Sequence, residues 1–307
     1  MPQPTIVVLG EINMDLVAYA PRFPRKGESV VGTKFLTYPG GKGANQAVAA
    51  AKLGAQVRMI GRVGADAFGQ QLLDSLAADG VDVTGVAVDS EASSGIAAIT
   101  IDASSQNRIV QVPGANASCG PREVERAIRA LEWASVLMLQ LEVPVEVSLA
   151  VAREAASRGV PVVLDPAPAR PLPEELYRHC AFITPNETEA QALVGFAVND
   201  PASARRAASK LAVRGAGCAV IKMRAAGAYY ASQDQGYHLP AFHVEAVDSV
   251  AAGDAFNGAL AVAIAESVPL DEAIRWGMAA GALAVTRTGA QDSMPRREQV
   301  DGLLAGR

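Results

Sequence analysis

The chain has no block of basic residues and no basic stripe interleaved with aromatics. Its 27 Lys and Arg are outnumbered by 32 Asp and Glu, for a net charge of −5. A nucleic-acid partner is therefore not expected, because such proteins carry a concentrated positive footprint. The mild acidity bears on solubility more than on partners. Cysteine is scarce: Cys119, Cys180 and Cys218 are odd in number, widely spaced and form no C-x-x-C pair. That argues against a disulfide framework and for reduced, buried thiols. The three histidines, His179, His238 and His243, lack metal-ligand spacing, so no zinc centre is expected. No uncharged apolar run is long enough to cross a bilayer, and residues 1–9 lack the basic and apolar regions of a signal peptide. Internal repeats, low-complexity tracts and an interdomain linker are missing as well. The expectation is a cytoplasmic protein with no membrane partner, one domain spanning residues 1–307. Its 50 % hydrophobic composition is ample for a large core.

What is present is an alternation of strand and helix. Residues 5–9 are a short apolar run ending at Gly10, 44–53 are alanine-rich and helical, and 57–60 read as a strand. A helix over 68–79 with Gly80 behind it, a strand over 136–139, a helix over 145–158 closed by Gly159 and a strand over 162–164 follow. Segments 182–184, 202–213 and 219–222 continue the rhythm, and the last third is helical over 255–266 and 270–285. Continuous apolar strands between helices predict an α/β fold with a mainly parallel sheet covered on both faces. Two stretches depart from the pattern, 22–35 and 95–112. Both are expected to form a small antiparallel sheet, a candidate lid over the core.

The most informative segment is 248–254, which reads DSVAAGD and is followed by Ala255, Phe256, Asn257 and Gly258. Small side chains at the start of a helix let backbone N–H groups reach an anion, and a helix N-terminus favours negative charge. Asp254 is placed to take a proton from a hydroxyl attacking that anion, the layout a phosphoryl-transfer site needs. An aspartate at a helix start is also an ordinary cap. A second glycine segment, GGKGAN over 40–45, is neither a Walker A loop, since Gly43 follows Lys42, nor a full dinucleotide fingerprint, since Gln46 stands where a third glycine belongs.

Taken together, these segments resemble the signatures of the ribokinase family of carbohydrate kinases. The resemblance runs through residues 8–15, 40–54, 114–116, 139–142, 165–169, 184–189, 248–254 and 286–291, in family order. It implies a three-layer α/β/α core with a lid drawn from about 11–37 and 95–113. Asn13, Asp15, Gly41, Lys42, Asn45 and Glu142 would bind sugar hydroxyls, a polar lining suited to such a ligand. Asp254 would be the general base, and the Ala252–Gly253–Asp254 backbone the anion hole. Asn186 and Glu189 would organise Mg²⁺ and the ATP phosphates, though their spacing also suits a capping box. Lys222, Arg224, Gly227, Gly253 and Met278 fall on the nucleotide side. Asp248, Val250, Ala284, Arg287, Gly289 and Ser293 match positions that wrap K⁺, mostly through backbone carbonyls. The resemblance further implies a pentose acceptor, ATP as donor and a homodimer joined through the lid sheets. A nucleoside, 2-deoxyribose or hexose acceptor, and a sugar-binding protein that has lost catalysis, remain open as alternatives.

One segment departs from the family pattern. Residues 222–227 read KMRAAG, where the family has a small hydroxyl residue followed by a Gly-x-x-Gly turn. Lys222 and Arg224 either supply positive charge to the phosphates or crowd them. Arg224 is expected to force a different turn, because a non-glycine residue in the left-handed region costs about 1 kcal/mol.

Overall fold

The computed structural model describes residues 3–232 and 235–306. Its first half contains β1 (Thr5–Leu9), β2 (Asn13–Tyr19), β3 (Lys34–Gly40), α1 (Lys42–Lys52), β4 (Gln56–Gly64), α2 (Ala67–Ala78), β5 (Val81–Asp89), β6 (Gly95–Ile101) and β7 (Asn107–Val112). The middle continues with α3 (Pro121–Ala130), β8 (Val136–Leu139), α4 (Val145–Ser157), β9 (Val162–Leu164), α5 (Glu174–His179), β10 (Phe182–Ile183), α6 (Glu187–Val194) and α7 (Pro201–Val213). Then come β11 (Cys218–Lys222), β12 (Ala228–Ser232), β13 (Gln235–Leu239), α8 (Ala252–Ala265), α9 (Leu270–Ala284) and α10 (Arg297–Leu304).

Nine strands form the main sheet in the order β13-β12-β11-β10-β9-β8-β1-β4-β5. The run from β11 to β5 is parallel, and β12 and β13 add an antiparallel edge. In β1, Ile6 and Val8 enter the core beneath α1, α2, α8 and α9, while Val7 and Leu9 enter the core beneath α3 to α7. A strand buried on both faces cannot alternate in polarity, which is why the central strands read as continuous apolar runs.

The second sheet has the order β3-β2-β6-β7. Its strands over 95–101 and 107–112 fall close to where the sequence pattern puts them. Two expectations need correction. Residues 22–35 mostly connect β2 to β3 and contribute only the first two residues of β3. The sheet is mixed, with β2 parallel to β6 and antiparallel neighbours on either side. Pairing partners distant in sequence set strand direction, and a single segment's periodicity carries no information about them. The β12–β13 hairpin and β5 also went unpredicted.

The fold puts polar residues where the parallel strands end. Leu139 is followed by Gln140, Leu164 by Asp165, Ile183 by Thr184, and β11 closes on Lys222. Carboxyl ends of parallel strands are where α/β folds hold ligands.

Candidate active site

Two helix N-termini meet above these strand ends. Helix α1 begins at Lys42 directly beside the turn after β1. A Cβ on Gly43 would lie 2.8 Å from the Gly10 Cα and the Glu11 nitrogen, so only glycine permits this approach. The turn itself is pinned by Asn116, which accepts from the Ile12 amide at 3.0 Å and donates to the Ile12 carbonyl at 2.9 Å. Helix α8 packs against α1 through Gly258, where a Cβ would come within 2.5 Å of the Ala49 Cβ. That close packing brings Asn45 and Gln46 to Asp254.

Asp254 is not the cap of its helix. The N-cap is Ala251, in the left-handed region at φ 58°, and no side chain bonds the first amides of α8. The amides of Ala252, Gly253 and Asp254 are thus left for an anion. The Asp254 side chain, only 4 % exposed, accepts from Asn45 Nδ2 and Gln46 Nε2, each at 3.0 Å. Burial pushes its carboxyl up to about 6; the Lys42 charge and the two amides hold it down, and Asp165 adds to the rise. A base with a pKa near the working pH is what proton abstraction from a hydroxyl requires.

The network extends beyond Asp254. Gln46 Nε2 also donates to Asp165 Oδ2 at 3.0 Å, and its Oε1 accepts from Gln140 Nε2 at 2.6 Å. Lys222 Nζ donates to Asp165 Oδ1 at 3.1 Å. The Lys42 ammonium is held above the ordinary lysine range, chiefly by Asp254 against the cost of burial, with Asp165, Glu142 and Glu189 helping. Gln46 and Gln140 were missed by sequence reasoning, and Asp165 was only one residue of a matched segment. The available signal was position, since Gln140 and Asp165 directly follow apolar strands.

Asn13 and Asp15 lie two apart on β2, with Asn13 Nδ2 donating to Asp15 Oδ1 at 3.1 Å. Burial pushes Asp15 up to about 6, the Asn13 bond opposes this, and the Glu142 charge adds to it. Asn13 Oδ1 is buried with no partner among the described residues. Glu142 accepts weakly from the Lys42 amide at 3.4 Å. Glu11, also missed from the sequence, has its carboxyl pushed up to about 10, first by burial and then by the hydrogen bond and charge of Glu142. Gln111 of β7 donates to Glu11 at 2.9 Å and to Glu142 at 3.4 Å, so the second sheet reaches into this side of the site.

On the other side, Asn186 and Glu189 form the capping box of α6. The Glu189 amide donates to Asn186 Oδ1 at 2.9 Å, and the Asn186 amide and Nδ2 donate to Glu189 at 2.8 and 2.9 Å. The Glu189 carboxyl is raised by burial and by Asp165, with Lys222 opposing. Arg224 adopts the left-handed conformation itself, at φ 48°, instead of forcing another turn. A 3₁₀ turn over Arg224–Ala226 then leads into Gly227 at φ 88°. The Arg224 side chain is 87 % exposed and approaches Glu187 at 3.9 Å. Met278 lies on α9 within the core. Asp248 accepts from the Val250 amide at 3.0 Å and the Gly289 amide at 3.2 Å, tying 248–250 to the turn after α9. Ala284 and Arg287 share a backbone hydrogen bond there, and the Ser293 hydroxyl is bonded to the Ala290 carbonyl.

A buried carboxylate at an uncapped helix N-terminus, with strand-end residues around it, defines a phosphotransferase acting on a hydroxyl. The comparisons with known proteins agree. The pfkB family carbohydrate kinase model matches residues 3–297, and the chain belongs to that family. The ribokinase of Haemophilus influenzae is 41 % identical over 295 residues, covering 96 % of each chain. The deoxyribokinase of Salmonella typhi is 37 % identical over 301 residues, 98 % of each chain. The structure of Arabidopsis thaliana ribokinase complexed with ribose and ATP is similar with a TM-score of 0.91, 31 % identity and 99 % coverage of both chains. No helix among the described residues is long and apolar enough to cross a membrane.

Proposed function

We propose that this enzyme transfers the γ-phosphoryl group of ATP to the terminal hydroxyl of D-ribose, giving ribose 5-phosphate. The observation that carries this reading is the Asp254 carboxylate, buried beside the free amides of α8 and held by two side chains of α1. The 5-hydroxyl gives its proton to Asp254 as its oxygen attacks the γ-phosphorus. The bond to the ADP oxygen breaks, and the Ala252, Gly253 and Asp254 amides stabilise the charge on the transferring group. Asn13, Asp15, Gly41, Lys42, Asn45 and Glu142 orient the sugar. The unpartnered Asn13 Oδ1 supports this, since a buried acceptor calls for a donor such as a sugar hydroxyl.

Asn186, Glu189, Gly227 and Met278 form the donor side. Mg²⁺, which neutralises phosphate charge, prefers oxygen ligands and keeps several waters. Both Glu189 oxygens already accept from Asn186, so these residues suit an ion held through water. Asp248, Val250, Ala284, Arg287, Gly289 and Ser293 offer carboxylate, carbonyl and hydroxyl oxygens, a set that fits K⁺. K⁺ would anchor the irregular 248–250 segment next to the anion hole. The second sheet acts as lid and dimer surface, a reading supported by the exposure of Phe35, Ile109, Val110 and Val112 on its strands. The three free, buried thiols suit a reducing, cytoplasmic setting.

The Salmonella typhi relative favours 2-deoxyribose as a second acceptor. ADP release from MgATP in K⁺ buffer, with D-ribose, 2-deoxyribose, fructose, adenosine or no acceptor, decides between them. Ribose giving the highest kcat/KM supports the assignment. Preference for another acceptor, or none, overturns it. Equal rates in Na⁺-only buffer would remove K⁺.

A further inference from the structure

In the divergent 222–227 segment Met223 packs into the core, and Lys222 is the residue whose polar end turns towards the site. Its side chain, 15 % exposed, ends between Asp165 and the start of α8. A Cβ built on Gly253 would have Lys222 Nζ as its nearest neighbour, at 3.3 Å, so the ammonium stands directly against the anion hole. The Phe256 ring of α8 lies 5.8 Å from it. An ammonium has three donors, and among the described residues Asp165 takes the only hydrogen bond that Nζ makes. Asp165 in turn is tied through Gln46 to Asp254, so the ammonium and the base are positioned by one buried network.

We propose that Lys222 is a further catalytic residue, whose ammonium, held by Asp165, donates hydrogen bonds to the terminal phosphate of the nucleotide as it is transferred. The proposal rests on the kinase reading above. No bond to Lys222 forms or breaks covalently. The acceptor hydroxyl's proton still goes to Asp254, the leaving electrons still go to ADP, and the lysine keeps its three protons. Its charge offsets what the three transferring oxygens carry, beside amides already aimed at them. A backbone-built phosphate turn is thereby supplemented by a side chain, and the exposed Arg224 takes no part.

The simpler account is that Lys222 only neutralises the buried Asp165. Removing both charges together separates the two. Asp165→Asn is compared with Asp165→Asn/Lys222→Met, neither of which buries an unpaired carboxylate. The double variant is expected to turn over about 10²-fold more slowly than Asp165→Asn, the range of losing one donor to a developing oxyanion, with the sugar KM changed less than about twofold. Calorimetric binding supplies a readout without turnover: the preference for MgATP over AMP should fall about tenfold in the double variant, in keeping with a lost charge-assisted phosphate contact. Equal kcat in the two variants, or an unchanged ATP-to-AMP preference, overturns the proposal. A wild-type enzyme that phosphorylates no sugar overturns the kinase reading instead, and the binding ratio still decides whether Lys222 meets the terminal phosphate.

Discussion

The two sides of the site are built on opposite plans. The side formed by α1, the start of α8 and the ends of β8 and β9 is a buried mesh of side chains, in which hydrogen bonds link Asn45, Gln46, Gln140, Asp165 and Asp254. The side formed by 222–227 is mostly backbone, a short turn in which Lys222 reaches the site, Met223 packs into the core and Arg224 stands in solvent. A mesh preorganises charge but tolerates little change, because each lost partner orphans a buried polar group. A backbone turn survives changes of side chain as long as its dihedral angles remain accessible. That difference explains how one half of the signature persists intact while the other departs from it.

The comparison is tested most severely at Asp254. Asp254→Asn keeps the shape of the mesh and removes the base, so turnover should drop about 10²- to 10⁴-fold while sugar affinity changes little. Steady-state kinetics with varied sugar measures both. If the base has been assigned correctly, wild-type kcat/KM should also fall tenfold per pH unit below about 6, where Asp254 takes up its proton. Asp15, likewise near 6, steepens this limb towards a slope of two if its carboxylate is required, and Asp15→Asn should restore a slope of one. Both carboxyls have folded-state pKa values raised above 3.8, so the folded chain holds these protons more tightly than the unfolded chain. Their contribution to stability therefore declines as pH rises from 3.8 towards about 6, the reverse of an ion-paired carboxylate.

A second test probes the steric claim. Gly43→Ala adds a methyl against the backbone of Gly10 and Glu11, with no flexible side chain to yield. It should destabilise the fold by about 1–3 kcal/mol, the usual cost of overpacking, and raise the sugar KM. Denaturant unfolding and kinetics report the two effects. The smallest effect is expected on the other side. Arg224→Gly relieves a left-handed non-glycine residue whose side chain is in solvent. It should raise stability by no more than about 1 kcal/mol and leave kcat within about twofold. A large loss of activity would contradict the picture of a turn in which the Arg224 side chain plays no part.

Pattern reading worked best where chemistry is local. Helix ends at Gly80 and Gly159 and the apolar runs of β1, β8 and β9 follow from backbone preference and burial, and these are properties of short segments. The DSVAAGD segment likewise marked the start of α8. Its competing reading as an Asp cap is settled by geometry: Ala251 is the cap, and Asp254 points into the mesh. The mixed second sheet, with its parallel pairing of β2 and β6, depends on partners as far apart as Asn13 and Gly95, and no local pattern encodes them.

The sequence by itself determined the α/β class and the positions of the two glycine segments, because these rest on composition, periodicity and the conformations that small residues allow; the family came from the resemblance of its motifs. Only the tertiary structure decided that Gln46 bridges Asp165 to Asp254 and that Gln111 of β7 reaches Glu11. The same is true of Lys222 and Arg224, two cations in one short segment, which face opposite ways. The physical reason is distance along the chain: burial, electrostatic coupling and hydrogen bonding act between atoms that only folding brings within a few ångströms.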